Sequence, residues 1–258
     1  MTKTYKGYIG VFDSGVGGIS VLREATALLP HENFYYYGDS AHAPYGEKSS
    51  EEVLSLISDA VEQALDKGIK AAIIACNTAT SVAVSILRET YPDIPFIGIE
   101  PAVKPAALSI KNGKILVMAT PRTLEENKFH ELARRFESDA EIIPLPCPGL
   151  AARIEKGNLE SSEVYSLIES FVGAYKGKVD GVVLGCTHYP FIKKQIQTVL
   201  GDIPFFDGGA GTARELKHQL EERGLLSQSS AKGAVCFDSS NNTPGELALY
   251  RRFYEMPL

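Results

Sequence analysis

A chain of 258 residues accommodates one large domain or two modest ones, at roughly 150 residues per domain, and either can bury a full hydrophobic core. With 44% hydrophobic and 22% charged residues, and 26 basic against 32 acidic residues for a net charge of −6, the composition is ordinary for a globular protein; it argues against a nucleic-acid footprint and leaves a small anionic ligand open. No apolar run approaches the ~18 residues of a membrane span, and the start, Met1 to Gly7, leads into a strand pattern without a signal-peptide cleavage site, so a cytoplasmic location is expected.

In chain order, short apolar runs predict strands over 8–12, 34–37, 71–75, 96–99, 115–118, 182–184 and 205–206, each followed by Gly, Asp, Cys or Pro and then by a helical stretch. The first strand runs into Asp13-Ser14-Gly15-Val16-Gly17-Gly18, a glycine-rich turn opening a helix. A helix over 50–67 is the clearest element: Ser49 and Glu52 make a capping box, Val53, Leu54, Ile57, Val61, Ala64 and Leu65 make one apolar face, and Gly68 stops it. Further helices are predicted over 78–89, 121–136, 163–175, 191–200, 210–223 and 244–254. This alternation is the β-α-β-α rhythm of a mostly parallel sheet, so the fold class is α/β.

The chain also resembles itself. Residues 70–78, ending in Cys76-Asn77-Thr78, resemble 179–187, ending in Cys186-Thr187, with the two cysteines at an offset of 110; Ile94-Pro95-Phe96 matches Ile203-Pro204-Phe205 at 109, and Ile9 to Ser14 matches Ile115 to Thr120 at 106. Repetition at this period predicts two similar α/β domains related by a pseudo-twofold axis, the first from residues 1–99 with 210–258 returning to it, the second from 100–209. Open α/β sheets bind ligands at the carboxyl ends of their strands, so the expected site is the interdomain cleft, with one cysteine from each half facing it.

Cys76 and Cys186 are the leading candidates for chemistry, because a cysteine at a strand end that opens a helix sits among backbone N–H groups that stabilise a thiolate. A buried cysteine is otherwise a small core hydrophobe, and matched placement in both halves is what lifts this pair above that reading. Asp13 can cap the following helix or serve the cleft, and His188, two residues after Cys186, can tune that thiol or act as an acid. The loop holding Tyr45 and Gly46 is a candidate binding segment. Cys147, before a possible helix, competes as a reactive thiol but pairs with Ser40 under the repeat. Cys236 reads as a strand thiol, and Glu155 by itself reads as an ordinary exposed helix residue. All four cysteines lack C-x-x-C spacing and read as free thiols. His31, His42, His130 and His218 show no ligand spacing and read as solvated, so no metal site is expected. Neither G-x-G-x-x-G nor a P-loop pattern is present, which disfavours a nucleotide.

Taken together, Asp13-Ser14-Gly-Val-Gly-Gly, Pro44-Tyr45-Gly46, Cys76-Asn77-Thr78-Ala-Thr and Gly185-Cys186-Thr187-His188-Tyr-Pro resemble the glutamate racemases of the aspartate/glutamate racemase superfamily, from about Ile9 to Arg214. The resemblance implies a cofactor-independent isomerase that interconverts L- and D-glutamate and supplies D-glutamate for peptidoglycan. It gives Cys76 the D face and Cys186 the L face, makes Asp13, Ser14, Tyr45, Gly46, Asn77, Thr78, Thr187 and His188 substrate contacts, and places Glu155 near the second thiol. Glutamate is then the small-molecule partner, with a homodimer expected and neither nucleic acid nor membrane involved. The chain departs from the usual pattern at Asn127, Phe129 and Gly208. Two other readings stay open: another superfamily enzyme, such as an aspartate racemase or decarboxylase, and a non-catalytic carboxylate-binding protein, which would not need both thiols.

Overall fold

The structure is a computed structural model describing residues 7–257; residues 1–6, on which the reading of a missing signal peptide rests, lie outside the described residues. β1 (Ile9–Asp13) is buried along its whole length, as is β3 (Ala71–Ile74), which fits strands covered by helices on both faces. With β2 (Phe34–Gly38), β4 (Phe96–Gly98) and β9 (Val235–Ser239) they form a five-stranded sheet in the order β4-β3-β1-β2-β9. A second sheet, from β5 (Lys114–Ala119), β6 (Glu141–Pro146), β7 (Gly181–Leu184) and β8 (Phe205–Asp207), has the order β8-β7-β5-β6 when read from its β8 edge. All the strand pairings are parallel.

Apart from β9, which has no counterpart, the two orders are the same succession with each strand replaced by the one four places later, so the sequence repeat is a repeat of topology. Hydrogen bonds beyond the strand ends repeat too. The Ala75 N–H donates to the Phe12 carbonyl at 2.8 Å and the Gly185 N–H to the Met118 carbonyl at 2.7 Å, which carries Cys76 and Cys186 to equivalent places. The Asp39 N–H on the Asp13 carbonyl and the Cys147 N–H on the Ala119 carbonyl, both 2.9 Å, make Asp39 rather than Ser40 the counterpart of Cys147, a correction of one residue.

Helix α1 (Ile19–Leu28) follows the glycine-rich turn, and α2 (Ser50–Asp66) starts as its capping box predicts, with Ser49 accepting from the Glu52 N–H at 3.1 Å. Val53, Ile57, Ala60, Val61 and Ala64 of α2 are buried, Leu54 and Leu65 only half-buried, and Gly68 ends the turn at φ +88°. Next come α3 (Asn77–Thr90) and α4 (Val103–Ser109); α4 is short, contains Pro105 and gives no clear periodic signal. The single helix expected over 121–136 is broken. Glu126 adopts an extended ψ of 139°, separating α5 (Pro121–Glu125), capped by Thr120, from α6 (Asn127–Arg134). β6, unforeseen because it holds Pro144 and Pro146, is an edge strand, where a missing N–H is tolerated.

The chain continues through α7 (Leu150–Glu155) to α8 (Ser162–Val172), which gives way to a 3-10 turn at Gly173–Tyr175. The helix expected over 191–200 begins as a 3-10 turn at Tyr189–Ile192, and α9 proper is Lys193–Leu200. α10 (Gly209–Glu222) and α11 (Pro244–Glu255) complete the chain. Two departures from the family pattern have local reasons here: a Cβ on Gly208 would lie 2.6 Å from the Glu100 carbonyl oxygen, and Phe129 is buried in the core of the second sheet. Asn127 opens α6 directly after the break.

Behind the strand ends, α11 joins the halves. The Phe191 and Phe253 rings meet at 4.7 Å and Tyr36 and Tyr250 at 5.5 Å, within one apolar cluster that runs from β1 and α1 through to α8 and α9. Among the described residues no helix is long and apolar enough to cross a membrane.

Candidate active site

The carboxyl ends of β1, β3, β5 and β7 converge on a cleft lined by Ser14, Pro44, Tyr45, Gly46, Cys76, Asn77, Thr78, Thr120, Thr123, Ala151, Gly185, Cys186, Thr187 and His188. The geometry brings Cys76 and Cys186 to one site, each 7% exposed.

Cys76 is the N-cap residue of α3. Burial, and then the charge of Asp13, push its thiol well above the usual range, while the backbone N–H groups of Ala79 and Thr78 pull against them. Asp13, also buried, accepts from the Gly15 N–H at 3.2 Å and from the Thr187 hydroxyl at 3.2 Å. Burial raises its carboxyl to about 6, against a lowering contribution from His188.

Around Cys186 the chemistry is different. His188 Nδ1 lies 3.4 Å from the Cys186 sulfur, and His188 Nε2 lies 2.5 Å from Glu155 Oε1, which also accepts from the Val16 N–H at 2.9 Å. Burial opposes a charged ring, yet the Cys186 sulfur and the Glu155 carboxylate overcome it and hold the imidazole well above its ordinary value. Glu155, which the bare residue reading left on an exposed helix face, is thus the orienting partner of His188; the resemblance alone pointed to it. The Ser20 hydroxyl donates to the Thr187 carbonyl at 2.9 Å and adds a further link between the halves.

Tyr45 lines the cleft, and its hydroxyl is spent on Asp39 at 2.7 Å. The same Asp39 holds His42 at 2.8 Å, so His42, expected to be simply solvated, is anchored while its ring stays half-exposed. Gly46 lies so close to Thr120 that a Cβ would come 2.6 Å from the threonine's own Cβ. Asn77 Oδ1 is buried and has no hydrogen-bond partner.

Sequence reasoning missed Thr120 and Thr123. Their hydroxyls and that of Thr78 form a closed triangle with sides of 3.2, 3.3 and 3.0 Å inside the cleft. The signal for Thr120 was present, since it is the repeat counterpart of Ser14; Thr123 faces the cleft only because α5 is short and capped by Thr120. Cys147 does not line the cleft. It is buried behind Cys186, its thiol directed to the Leu145 carbonyl at 3.5 Å and raised to about 12 by burial and then by Cys186. Cys236 sits in β9, and all four cysteines are free thiols. His31, His130 and His218 lie away from the cleft, and among the described residues no group of three or more His, Cys, Asp or Glu could hold a metal ion.

A model of the Asp/Glu/Hydantoin racemase family matches residues 19–216. The glutamate racemase of Clostridium perfringens is 48% identical over 250 residues, covering 96% of each chain, and that of Clostridium acetobutylicum 49% over 249 residues, covering 96% of this chain and 97% of its own. The crystal structure of Escherichia coli glutamate racemase with L-glutamate and the activator UDP-MurNAc-Ala superposes with a TM-score of 0.84 at 31% identity, over 96% of this chain and 95% of that one. Glutamate racemase from Francisella tularensis with D-glutamate gives 0.82 at 27% identity, over 97% and 94%. The chain therefore belongs to the glutamate racemase branch of the Asp/Glu/hydantoin racemase family.

Proposed function

We propose that this protein racemises glutamate by moving protons between the α-carbon and two thiols, with no cofactor, and so supplies D-glutamate for peptidoglycan. The observation that carries the reading is the pair Cys76 and Cys186 at equivalent strand ends of one cleft, each with a different acid–base partner. Inversion needs a proton taken from one face and another returned to the opposite face. A thiolate at Cys186 takes the α-proton of L-glutamate; the electron pair left on the α-carbon then takes the proton of the Cys76 thiol, giving D-glutamate and a Cys76 thiolate. The reverse direction exchanges the roles. Burial and Asp13 favour the protonated Cys76 that this direction requires, and His188, charged and held by Glu155, stands beside the Cys186 sulfur.

Binding uses the remaining lining residues. The unpartnered Asn77 Oδ1 is an acceptor suited to the substrate ammonium; the Asp13 carboxylate, expected as a substrate contact, is buried outside the lining and held by the Gly15 N–H and the Thr187 hydroxyl. Backbone N–H groups at the start of α3 and at the Ser14 turn suit a carboxylate, while the hydroxyls of Thr78, Thr120 and Thr123, bonded to one another, with Thr120 also capping the Thr123 N–H, can turn onto the second one. Ser14, Tyr45, Gly46, Thr187 and His188 close the walls. The division into domains of residues 1–99 with 210–258, and 100–209, belongs to the same reading; the sheet membership of β1–β4 with β9, and of β5–β8, supports it. A homodimer acting in the cytoplasm completes the proposal and rests on the resemblance.

The test is a chiral assay of purified protein with L-glutamate and L-aspartate, with chelator and without added pyridoxal phosphate. Glutamate is expected to racemise and aspartate to remain. Cys76→Ala and Cys186→Ala each abolish turnover, while Cys147→Ala and Cys236→Ala retain it. Racemisation lost on exhaustive chelation, or near-normal turnover in either of the first two variants with an intact circular dichroism spectrum, contradicts the proposal.

A further inference from the structure

The first half carries a cleft element that the second half lacks. From the end of β6 the chain enters α7 directly after Cys147, Pro148 and Gly149, whereas from the end of β2 it runs over 39–49 before α2, in two 3-10 turns at Ser40–His42 and Tyr45–Glu47. The second turn is a wall of the cleft and meets the other half, with Gly46 against Thr120 and the Arg122 Nε–H on the Lys48 carbonyl at 3.3 Å. The loop starts at Asp39, 3% exposed, whose N–H is fixed on the Asp13 carbonyl at 2.9 Å. The Asp39 carboxylate is shared: Oδ2 accepts from the Tyr45 hydroxyl at 2.7 Å, and Oδ1 pairs with His42 Nδ1 at 2.8 Å. We propose that Asp39 is a positioning residue for the substrate wall: by holding the Tyr45 hydroxyl it sets where the Tyr45–Gly46 backbone meets Thr120, and so sets the affinity for glutamate without taking part in proton transfer.

The Tyr45 ring is buried in the apolar cluster of the first sheet with Phe12 and Tyr35. Such packing is non-directional and lets a ring slide; a hydroxyl bonded to a fixed carboxylate does not. A bond from a phenol to a carboxylate is about twice as strong as one between neutral groups, and a buried carboxylate oxygen left without its donor is costly. The turn therefore has one preferred depth in the cleft. Burial, followed by Asp39, keeps the Tyr45 hydroxyl far above its ordinary range, so it stays the donor. Asp39 itself does not line the cleft, and its influence on substrate runs through Tyr45.

This inference rests on the reading of the cleft as a glutamate site, and its test has one arm in kinetics and one that needs no turnover. Steady-state kinetics with L-glutamate on the full chain compare the wild type, Asp39→Ala, Asp39→Asn, Tyr45→Phe, and Asp39→Ala combined with Tyr45→Phe. Asp39→Ala is expected to raise KM about tenfold while kcat falls less than about threefold; Asp39→Asn, which keeps an acceptor and loses its charge, is expected to raise KM about threefold. The combined variant is expected to have a KM no higher than the worse single one, because both changes break the same contact. In the second arm, hydrogen exchange of the unliganded protein is followed by mass spectrometry over 43–50, where the Lys48 N–H is bonded to the Tyr45 carbonyl at 3.1 Å. Exchange there is expected to be severalfold faster in Asp39→Ala and in Tyr45→Phe. Should Asp39→Ala fail to fold, Asp39→Asn and Tyr45→Phe, which remove a charge or a single oxygen, decide. An unmoved KM, a loss of kcat with KM unmoved, additive effects in the combined variant, or wild-type exchange over 43–50 overturns the proposal. A wild type that leaves glutamate unchanged refutes the racemase reading instead, and the exchange arm then decides the hold of Asp39 on Tyr45 alone.

Discussion

Asp13 and His188 face opposite thiols and respond to pH with opposite chemistry. Asp13 has its carboxyl raised from 3.8 to about 6, so between these values the folded protein binds more protons than the unfolded chain, and stability falls as pH rises through that window. Above pH 6 the full cost is present, on the order of 2–3 kcal/mol for a group buried this completely. His188 is raised, so its contribution is complete below pH 6.5 and lost as pH climbs through its elevated folded value. Asp13→Asn should therefore unfold a few degrees higher than wild type at pH 7 and show a flatter stability profile between pH 4 and 6, while turnover falls at least about a hundredfold. Because Asp13 favours the protonated Cys76 that the L-to-D direction needs, kcat should fall further for L-glutamate than for D-glutamate, although kcat/KM in the two directions stays bound by the equilibrium constant. A scan of unfolding temperature against pH checks the first part; a destabilised Asp13→Asn at pH 7 would contradict it. Of this constellation the sequence made Asp13 and the thiols legible, because strand ends and glycine turns have local signatures. The link from Glu155 to His188 spans 33 residues and has none.

At the scale of elements, what could be read depended on whether the signal was local. α2 was readable to within a residue from its capping box, apolar face and glycine stop, all within one stretch of chain. The break at Glu126 was not, because residues 121–136 keep helical composition through it and nothing local in the sequence marks the extended residue. β6 was masked by its prolines, which only an edge position excuses. The turn at Tyr45–Glu47 owes its placement to a contact between halves, the approach of Gly46 to Thr120. Gly46→Ala should force that contact apart and raise KM for glutamate tenfold or more, with an unfolding temperature within a few degrees of wild type. Steady-state kinetics in both directions checks it, and an unchanged KM would show that the turn does not shape the substrate site.

The whole molecule is a repeated sheet order with an unrepeated site. Both halves deliver a cysteine by the same route, a strand end extended by one backbone hydrogen bond, yet Thr78 stands where the other half has His188, and Ala119 where it has Asp13. The halves are then joined across the cleft by Val16 on Glu155, Thr187 on Asp13 and Ser20 on Thr187, and behind it by α11. Two thiols on two halves make the central claim a statement about where protons come from. A thiol holds one proton, so the proton removed by one half stays there while the other half delivers a proton already exchanged with solvent. The measurement is racemisation of L-glutamate in deuterated water, stopped at low conversion, with the α-position of both enantiomers read by mass spectrometry. The D-glutamate formed should carry deuterium at the α-carbon while the remaining L-glutamate stays largely protonated. Substantial unlabelled D-glutamate at early times would mean that one base carries the proton across, and would contradict the assignment of opposite faces to Cys76 and Cys186.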